Sequence, residues 1–260
     1  MLPFSALHAA WLAFASLLAG GINAIAGGGS LLSFPALLQV GALPVHANAT
    51  NTVALLPAEL TTATAYRREL KRYRSLLFPL LIAALLGSFL GARALMATKQ
   101  EVFFHMVPWL LFTATLIFAL GPVVQRRLLQ VEHYHDSGLH PVARVLLPVG
   151  IFIVCLYVGF FGAGSGLLLM GLLSIAGVES VHEINALKTA LISVSRSVAA
   201  ITFILYGAIL WRYGILMMVA ASTGGYVTAH LARKHNPPGM RATIIIIGVV
   251  VTTYFFWKIH

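Results

Sequence analysis

The chain has 260 residues, of which 59% are hydrophobic and 9% are charged. Soluble domains carry about 25% charged residues, so this composition argues against a soluble protein and indicates one embedded in a membrane. The formal net charge is +10, but the basic residues lie in short loops beside apolar segments, which argues against a nucleic-acid partner.

Eight apolar segments approach the roughly 20 residues that a membrane-spanning helix needs. The first is not expected to be a cleaved signal peptide, because residues 1–10 contain no lysine or arginine and signal peptides begin with a positive region. The expected fold class is therefore an all-α polytopic membrane protein with the lipid bilayer as its surroundings. The segments are residues 8–26, 47–66, 76–98, 102–124, 144–161, 187–210, 213–232 and 242–257.

Basic residues cluster in three connections between these segments, at residues 67–74, 126–144 and 233–241. Cytoplasmic loops carry an excess of lysine and arginine, so we expect all three connections to face the cytoplasm. Few cations fall on the opposite face, namely Lys99, Arg212 and Lys258, with Arg93 nearby.

Two short apolar segments, residues 30–40 and 166–175, each follow a glycine-rich stretch. At about 1.5 Å per residue, neither can cross the hydrocarbon as a regular helix. We therefore expect half-helices or re-entrant segments, which are tolerated inside a membrane where they are buried in protein or line a wet cavity.

The glycine-rich stretches are candidates for anion binding. A helix N-terminus offers unpaired N–H groups and the positive end of a dipole, and glycine lets a ligand approach the backbone. Two such termini at the midplane would bind an anion, whereas the alternative is that the glycines only allow close helix packing. The residues are Gly27, Gly28, Gly29 and Ser30 in the first stretch and Gly162, Gly164, Ser165 and Gly166 in the second.

Residues 48–94 align with residues 185–231 at a constant offset of 137, which predicts an internal repeat. The alternative is a chance similarity between two apolar, glycine-rich stretches. The glycine-rich stretches align at an offset of 135. The basic connection of one half corresponds to an apolar connection of the other, which predicts that the halves have opposite orientations. The predicted organisation is a first repeat at residues 1–124, a cytoplasmic connection at 125–143 and a second repeat at 144–260.

Polar residues near the start of the long segment in each half extend the candidate site. Amide, hydroxyl and ammonium groups are suitable donors to an oxyanion. For the two asparagines, capping of the helix N-terminus is the alternative. The residues are Asn48, Thr50, Asn51 and Thr52 in the first half and Asn185, Lys188 and Thr189 in the second.

Three charged residues lie within apolar segments, where a charge is costly enough to suggest a function. Lys188 and Arg196 are eight residues apart, so both could face one cavity from the same helix. Glu59 is equivalent to Arg196 at the offset of 137, which predicts an ion pair near the axis that relates the halves. The pair is either architectural, or Glu59 takes up a proton during transport.

Several of these stretches carry a family resemblance. Residues 26–35, 46–52, 185–189 and 203–211 resemble the TauE/SafE family of sulfite and organosulfonate permeases. The resemblance implies a permease of the bacterial inner membrane, with around eight spans, for sulfite, a sulfonate or a related sulfur-containing anion. Residues 162–166 depart from the pattern, since family members often carry an unbroken glycine run there.

The predicted function is transport of a small anion by alternating access, without an enzymatic activity, a metal or a cofactor. A passive anion channel would use the same residues. A third hypothesis is an intramembrane serine hydrolase, with Ser165 as nucleophile and His182 or His230 as base. Because Ser30 repeats the context of Ser165, the pattern favours a two-fold binding site over a single nucleophile.

Overall fold

The computed structural model describes residues 5–26, 28–65, 70, 74–130, 141–178, 181–232 and 240–259. Within these ranges the regular structure is helical. The helices are α1 (Ala6–Ala26), α2 (Ser30–Gln39), α3 (Pro44–Ala65), α4 (Arg74–Ala97), α5 (Gln100–Gln130), α6 (Pro141–Phe160), α7 (Ser165–Ile175), α8 (Val181–Leu205), α9 (Trp211–Ala232) and α10 (Met240–Ile259).

Each predicted apolar segment forms one helix, and the two short segments form α2 and α7, with 10 and 11 residues. Four stretches in the described ranges are long and apolar enough to cross a membrane by length and composition: Ala6–Ala24, Leu76–Ala97, Gln100–Leu120 and Glu183–Leu205. The multi-pass helical membrane fold is thereby confirmed. The helix α3 has 22 residues, but its asparagines, threonines and Glu59 lower its hydropathy.

The distribution of side chains is that of a membrane protein. Large apolar side chains such as Phe78, Ile153 and Val219 point outward and are more than half exposed, where hydrocarbon can cover them. Polar side chains such as Asn51 and Arg196 are buried between the helices. This arrangement places polar groups in the interior of the bundle and apolar groups on its outer surface.

The helices pack in pairs that follow the repeat. When α1–α5 are matched in order with α6–α10, the contact of α1 with α9 is equivalent to that of α6 with α4. The contact of α3 with α9 is likewise equivalent to that of α8 with α4, and α3 packs directly on α8. Helices of the first half therefore pack against helices of the second half throughout the bundle.

Glycines at these interfaces repeat the same contact. A Cβ atom on Gly224 in α9 would clash with the carbonyl oxygen of Leu17 in α1, and one on Gly87 in α4 would clash with that of Phe152 in α6. Gly87 and Gly224 are separated by the offset of 137, and Leu17 and Phe152 by the offset of 135. Small residues let membrane helices approach closely, and here equivalent glycines do so at equivalent places.

Candidate functional site

Lys188 lies in the interior of α8 and faces the short helix α7. Its Nζ donates to Oδ1 of Asn185 at 2.8 Å and lies 3.8 Å from Sδ of Met170 in α7. A Cβ atom on Gly166, at the start of α7, would lie 3.8 Å from Cδ of Lys188. Among the residues with defined positions, no carboxylate forms an ion pair with this ammonium group. An ammonium group without a direct ion pair among the described residues thus lies beside the N-terminal end of α7.

The two asparagines do not cap their helices, so the capping alternative is wrong for both. The helix α3 begins at Pro44 and α8 begins at Val181, so Asn48 and Asn185 both lie a full turn inside. Asn48 donates from Nδ2 to the carbonyl oxygen of Phe160 at 2.9 Å. Its amide therefore contacts the end of α6, directly before the second glycine-rich stretch.

The second glycine-rich stretch forms a tight turn before α7. Gly162 and Gly164 have φ angles of +78° and +76°, which glycine adopts at no steric cost. The carbonyl oxygen of Gly162 accepts from Oγ of Ser165 at 2.8 Å and from Nη2 of Arg196 at 3.5 Å. The turn is therefore fixed by side chains on both α7 and α8.

The first glycine-rich stretch is more crowded, and its Gly27 lies outside the residues whose positions are described. A Cβ atom on Gly28 would clash with the ring of Phe118, and one on Gly29 with the carbonyl oxygen of Ala19. Protein atoms already fill the space beside these two α-carbons. Their direct surroundings are those expected of packing glycines.

Both glycine-rich stretches adjoin the same helix. The position of a Cβ atom on Gly164 is 3.5 Å from the carbonyl oxygen of Ala114 in α5, and Gly28 faces Phe118 in that helix. Residues four apart lie one above the other on a helix face. Both stretches therefore border α5, and their meeting at the membrane midplane stays a prediction.

The charged pair lies where α3 and α8 cross. Nη1 of Arg196 is 3.1 Å from Oε1 of Glu59, and both residues are buried. Asn23 in α1 donates to the same carboxylate oxygen at 3.3 Å, and Oγ of Ser193 donates to the backbone carbonyl of Glu59 at 3.3 Å. Together with the bond from Arg196 to Gly162, this network joins α1, α3, α8 and the second turn.

The polar residues of the first half are engaged with the protein. The hydroxyl of Ser33 in α2 bridges the carbonyl of Gly29 and the side chain of Asn51. Thr52 donates to the carbonyl oxygen of Asn48 at 2.9 Å. Oγ1 of Thr50 accepts from the N–H of Leu210 at 2.9 Å. The remaining candidates, Ser30 and Thr189, are buried.

Three contacts of this region were not anticipated from the sequence. Asn23 is a single amide in the apolar helix α1. A polar residue within a membrane segment is expected to have a partner, so its position could have predicted a buried polar contact. Ser33 and Met170 carry no such signal, because a serine and a methionine are unremarkable in apolar helices. Their roles follow from which helix α2 and α7 fold against.

A serine hydrolase needs a histidine beside its serine, and a metal site needs a cluster of ligand side chains. The hydroxyl of Ser165 donates to Gly162, His230 is exposed at the end of α9, and the side chain of His182 lies outside the described residues. Over the described ranges, no cluster of histidine, cysteine, aspartate or glutamate suited to a metal was found.

Comparisons with known proteins give one family. The model of the family described as "Sulfite exporter TauE/SafE" matches residues 12–255. The probable membrane transporter YfcA of Escherichia coli strain K12 is 29% identical over 252 residues, covering 96% of this chain and 90% of the relative. The probable membrane transporter ORF9 of a Sinorhizobium species is 26% identical over 244 residues, with 93% and 90% covered.

A probable membrane transporter of Haemophilus influenzae is 29% identical over 240 residues, covering 89% of this chain and 88% of the relative. No solved structure gives a significant match. Because the family model extends over nearly all ten helices and the relatives are matched almost end to end, the chain belongs to the sulfite exporter TauE/SafE family of multi-pass bacterial membrane transporters.

Proposed function

We propose that this protein carries a small oxyanion across the membrane by alternating access and that Lys188 is the charge that attracts it. The observation that carries the proposal is the ammonium group of Lys188, which contacts an amide and a thioether instead of a carboxylate. A charge at membrane depth is costly without a partner. An anionic substrate would supply that partner.

The groups around Lys188 suit an oxyanion. Because Oδ1 of Asn185 accepts from Lys188, the Nδ2 of the same amide is directed away from it and is available as a donor. A Cβ atom on Gly166 would lie 3.8 Å from Cδ of Lys188, so the lysine side chain passes close to the positive end of α7. Lys188, Asn185, Thr189 and Gly166 therefore form the proposed binding set, with Gly162, Gly164 and Ser165 shaping the turn behind it.

The first half has a different proposed role. Gly28 and Gly29 face protein atoms. Asn48 and Asn51 bond to neighbouring helices, Thr50 bonds to the connection between α8 and α9, and Thr52 bonds within α3. We propose that these residues form the wall of the pathway opposite Lys188. Direct contact of Asn48, Thr50, Asn51 or Thr52 with the substrate stays a prediction.

The proposed mechanism uses the two halves as an inverted pair. The equivalent contacts of α1 with α9 and of α4 with α6 support two bundles that each combine helices of both halves. Rocking of one bundle against the other about the crossing of α3 and α8 would expose the site to each side in turn. The buried pair of Glu59 and Arg196 lies at that crossing, and we propose an architectural role for it.

The name of the family makes sulfur oxyanions the first substrates to test. The experiment is flux into liposomes that contain the purified protein, across a panel of sulfite, thiosulfate, sulfate, sulfoacetate, taurine and chloride, with protein-free liposomes as the control. We expect saturable, protein-dependent flux of at least one sulfur-containing anion. Electrical currents at channel rates would favour the passive channel, and an absence of anion flux would contradict the proposal.

A further inference from the structure

The buried carboxyl group of Glu59 is bonded at one of its two oxygens. Nη1 of Arg196 lies 3.1 Å from Oε1, and Nδ2 of Asn23 donates to the same oxygen at 3.3 Å. The other oxygen, Oε2, is buried, and no protein group with a described position donates to it. Donors on one oxygen alone are the pattern expected of a carboxyl group whose other oxygen carries a proton, because a hydroxyl oxygen donates.

Asn23 has the complementary arrangement. Its Nδ2 donates to Glu59, whereas its Oδ1 is buried and accepts from none of the described groups. Oδ1 of the amide and Oε2 of an ionised carboxylate are both acceptors, so neither can satisfy the other. A proton on Oε2 supplies the missing donor. The amide and the carboxylic acid can then pair through two hydrogen bonds, from Nδ2 to Oε1 and from Oε2 to Oδ1.

A metal ion fits these two oxygens less well than a proton does. Calcium and magnesium take six or more oxygen ligands, whereas a proton needs one donor atom and one acceptor. The guanidinium of Arg196 also lies 3.1 Å from the carboxylate, and a second full positive charge beside it would be repelled. The geometry therefore favours a proton as the ligand of Oε2.

The charged surroundings of Glu59 connect it to the candidate anion site. Its carboxylate interacts electrostatically with two cations of α8, Arg196 and Lys188. The helix α1 contributes the neutral Asn23, and α2 has no ionisable side chain. No ionisable side chain of α5 or α9 with a described position affects the carboxylate. Protonation of Glu59 removes a negative charge that Lys188 and Arg196 share, so both cations then attract an added anion more strongly.

We propose that Oε2 of Glu59 is a proton-binding site, completed by Oδ1 of Asn23, and that the proton and the substrate anion bind cooperatively. The proton comes from the aqueous side to which the site is open and forms an O–H bond at Oε2. Ionised Glu59 keeps its architectural role in the pair with Arg196, and protonation adds a second state. The cooperativity rests on the proposed function, whereas the proton site does not.

Infrared spectroscopy of the purified protein tests the proton site without any anion. The pH is lowered to about 6, where exposed carboxyl groups are still ionised. We expect a carboxylic acid band in the wild type and in Glu101→Gln, which removes an exposed carboxylate. The double variant Glu59→Gln with Arg196→Gln should lack the band. Its absence from the wild type, or its persistence in the double variant, would overturn the proton site.

A single substitution tests the part played by Asn23. Asn23→Leu removes the acceptor of the proposed O–H bond, so we expect the carboxylic acid band to move to a higher frequency. This shift also assigns the band to Glu59 if the double variant does not fold. A band at the wild-type frequency would show that Asn23 does not complete the site.

Proton uptake during anion binding tests the cooperativity. Thiosulfate, sulfate, sulfoacetate and chloride keep a constant charge near neutral pH, so titration calorimetry in buffers of different ionisation enthalpy counts protons taken up by the protein. Because linkage is reciprocal, we expect proton uptake with the anion that binds and an affinity that rises severalfold as the pH falls. Glu101→Gln should behave as the wild type does.

The outcomes separate this inference from the proposed function. Anion binding without proton uptake and with an affinity independent of pH would overturn the cooperativity and leave the proposed function in place. An absence of binding and flux for every anion of the panel would overturn the proposed function and the cooperativity together. The infrared measurement decides the proton site in either case.

Discussion

Arg196 and Glu59 form a buried ion pair at 3.1 Å between equivalent positions of the two halves. Removing one partner of such a pair leaves the other charge buried without compensation. We therefore expect Arg196→Ala to lower the free energy of unfolding by roughly 3 to 5 kcal/mol. Thermal denaturation of the purified protein in detergent would show this as a large fall in Tm.

The double variant Glu59→Gln with Arg196→Gln is the control for that experiment. It removes both charges while keeping side chains that can hydrogen-bond, so we expect it to recover much of the lost stability. If Arg196→Ala is as stable as wild type and fails to bind anions, Arg196 belongs to the substrate site and its architectural role is wrong.

The interface glycines give a second prediction about stability. Gly224→Ala places a methyl group against the backbone carbonyl of Leu17, so α1 and α9 must separate. We expect a loss of about 1 to 3 kcal/mol, as for other overpacked sites. Gly171→Ala is the matched control, because nothing lies within 4 Å of its Cβ position. Equal melting temperatures for both variants would contradict the close packing of α1 on α9.

Glycines near Lys188 should behave differently from those of the first stretch. A Cβ atom on Gly166 meets ordinary contact distances, so Gly166→Val should fold while its larger side chain obstructs the proposed site. We expect a severalfold loss of anion affinity with little change in Tm. Gly28→Val should instead lower Tm, because Phe118 occupies that space. Normal anion affinity of folded Gly166→Val would remove Gly166 from the site.

Topology gives a test of the inverted repeat. After replacement of Cys155, single cysteines at Arg72 and Asn236 should both be shielded from an impermeant thiol reagent in intact cells. A cysteine at Lys99, which is exposed near the start of α5, should react. Labelling of the Arg72 and Asn236 positions from opposite sides of the membrane would contradict the opposite orientation of the halves.

Much of the fold could be predicted because membrane helices are encoded by length and apolarity. The short helices α2 and α7 follow from segments too short to span. The contact of Glu59 with Arg196 follows from two buried charges at equivalent positions. These signals are local or repeat within the chain, so they are visible without a structure.

The environment of individual glycines could not be predicted in this way. Gly28 and Gly164 occur in similar stretches, yet Gly28 faces a phenylalanine ring and Gly164 has ordinary contacts. Which atoms approach a glycine depends on the packing of helices that are distant in the sequence. The residues next to the glycine do not specify that packing. The same reason explains why the contact between Met170 and Lys188 was not anticipated.

The most direct test of the proposed function is the anion affinity of a Lys188→Ala variant, measured by titration with a sulfonate. Lys99→Ala is the matched control, because it removes an equal charge from an exposed position. We expect Lys188→Ala to remain folded and to bind at least tenfold more weakly, which corresponds to about 1.4 kcal/mol, while Lys99→Ala binds as wild type does. Wild-type affinity in folded Lys188→Ala would contradict the assignment of Lys188 to the substrate.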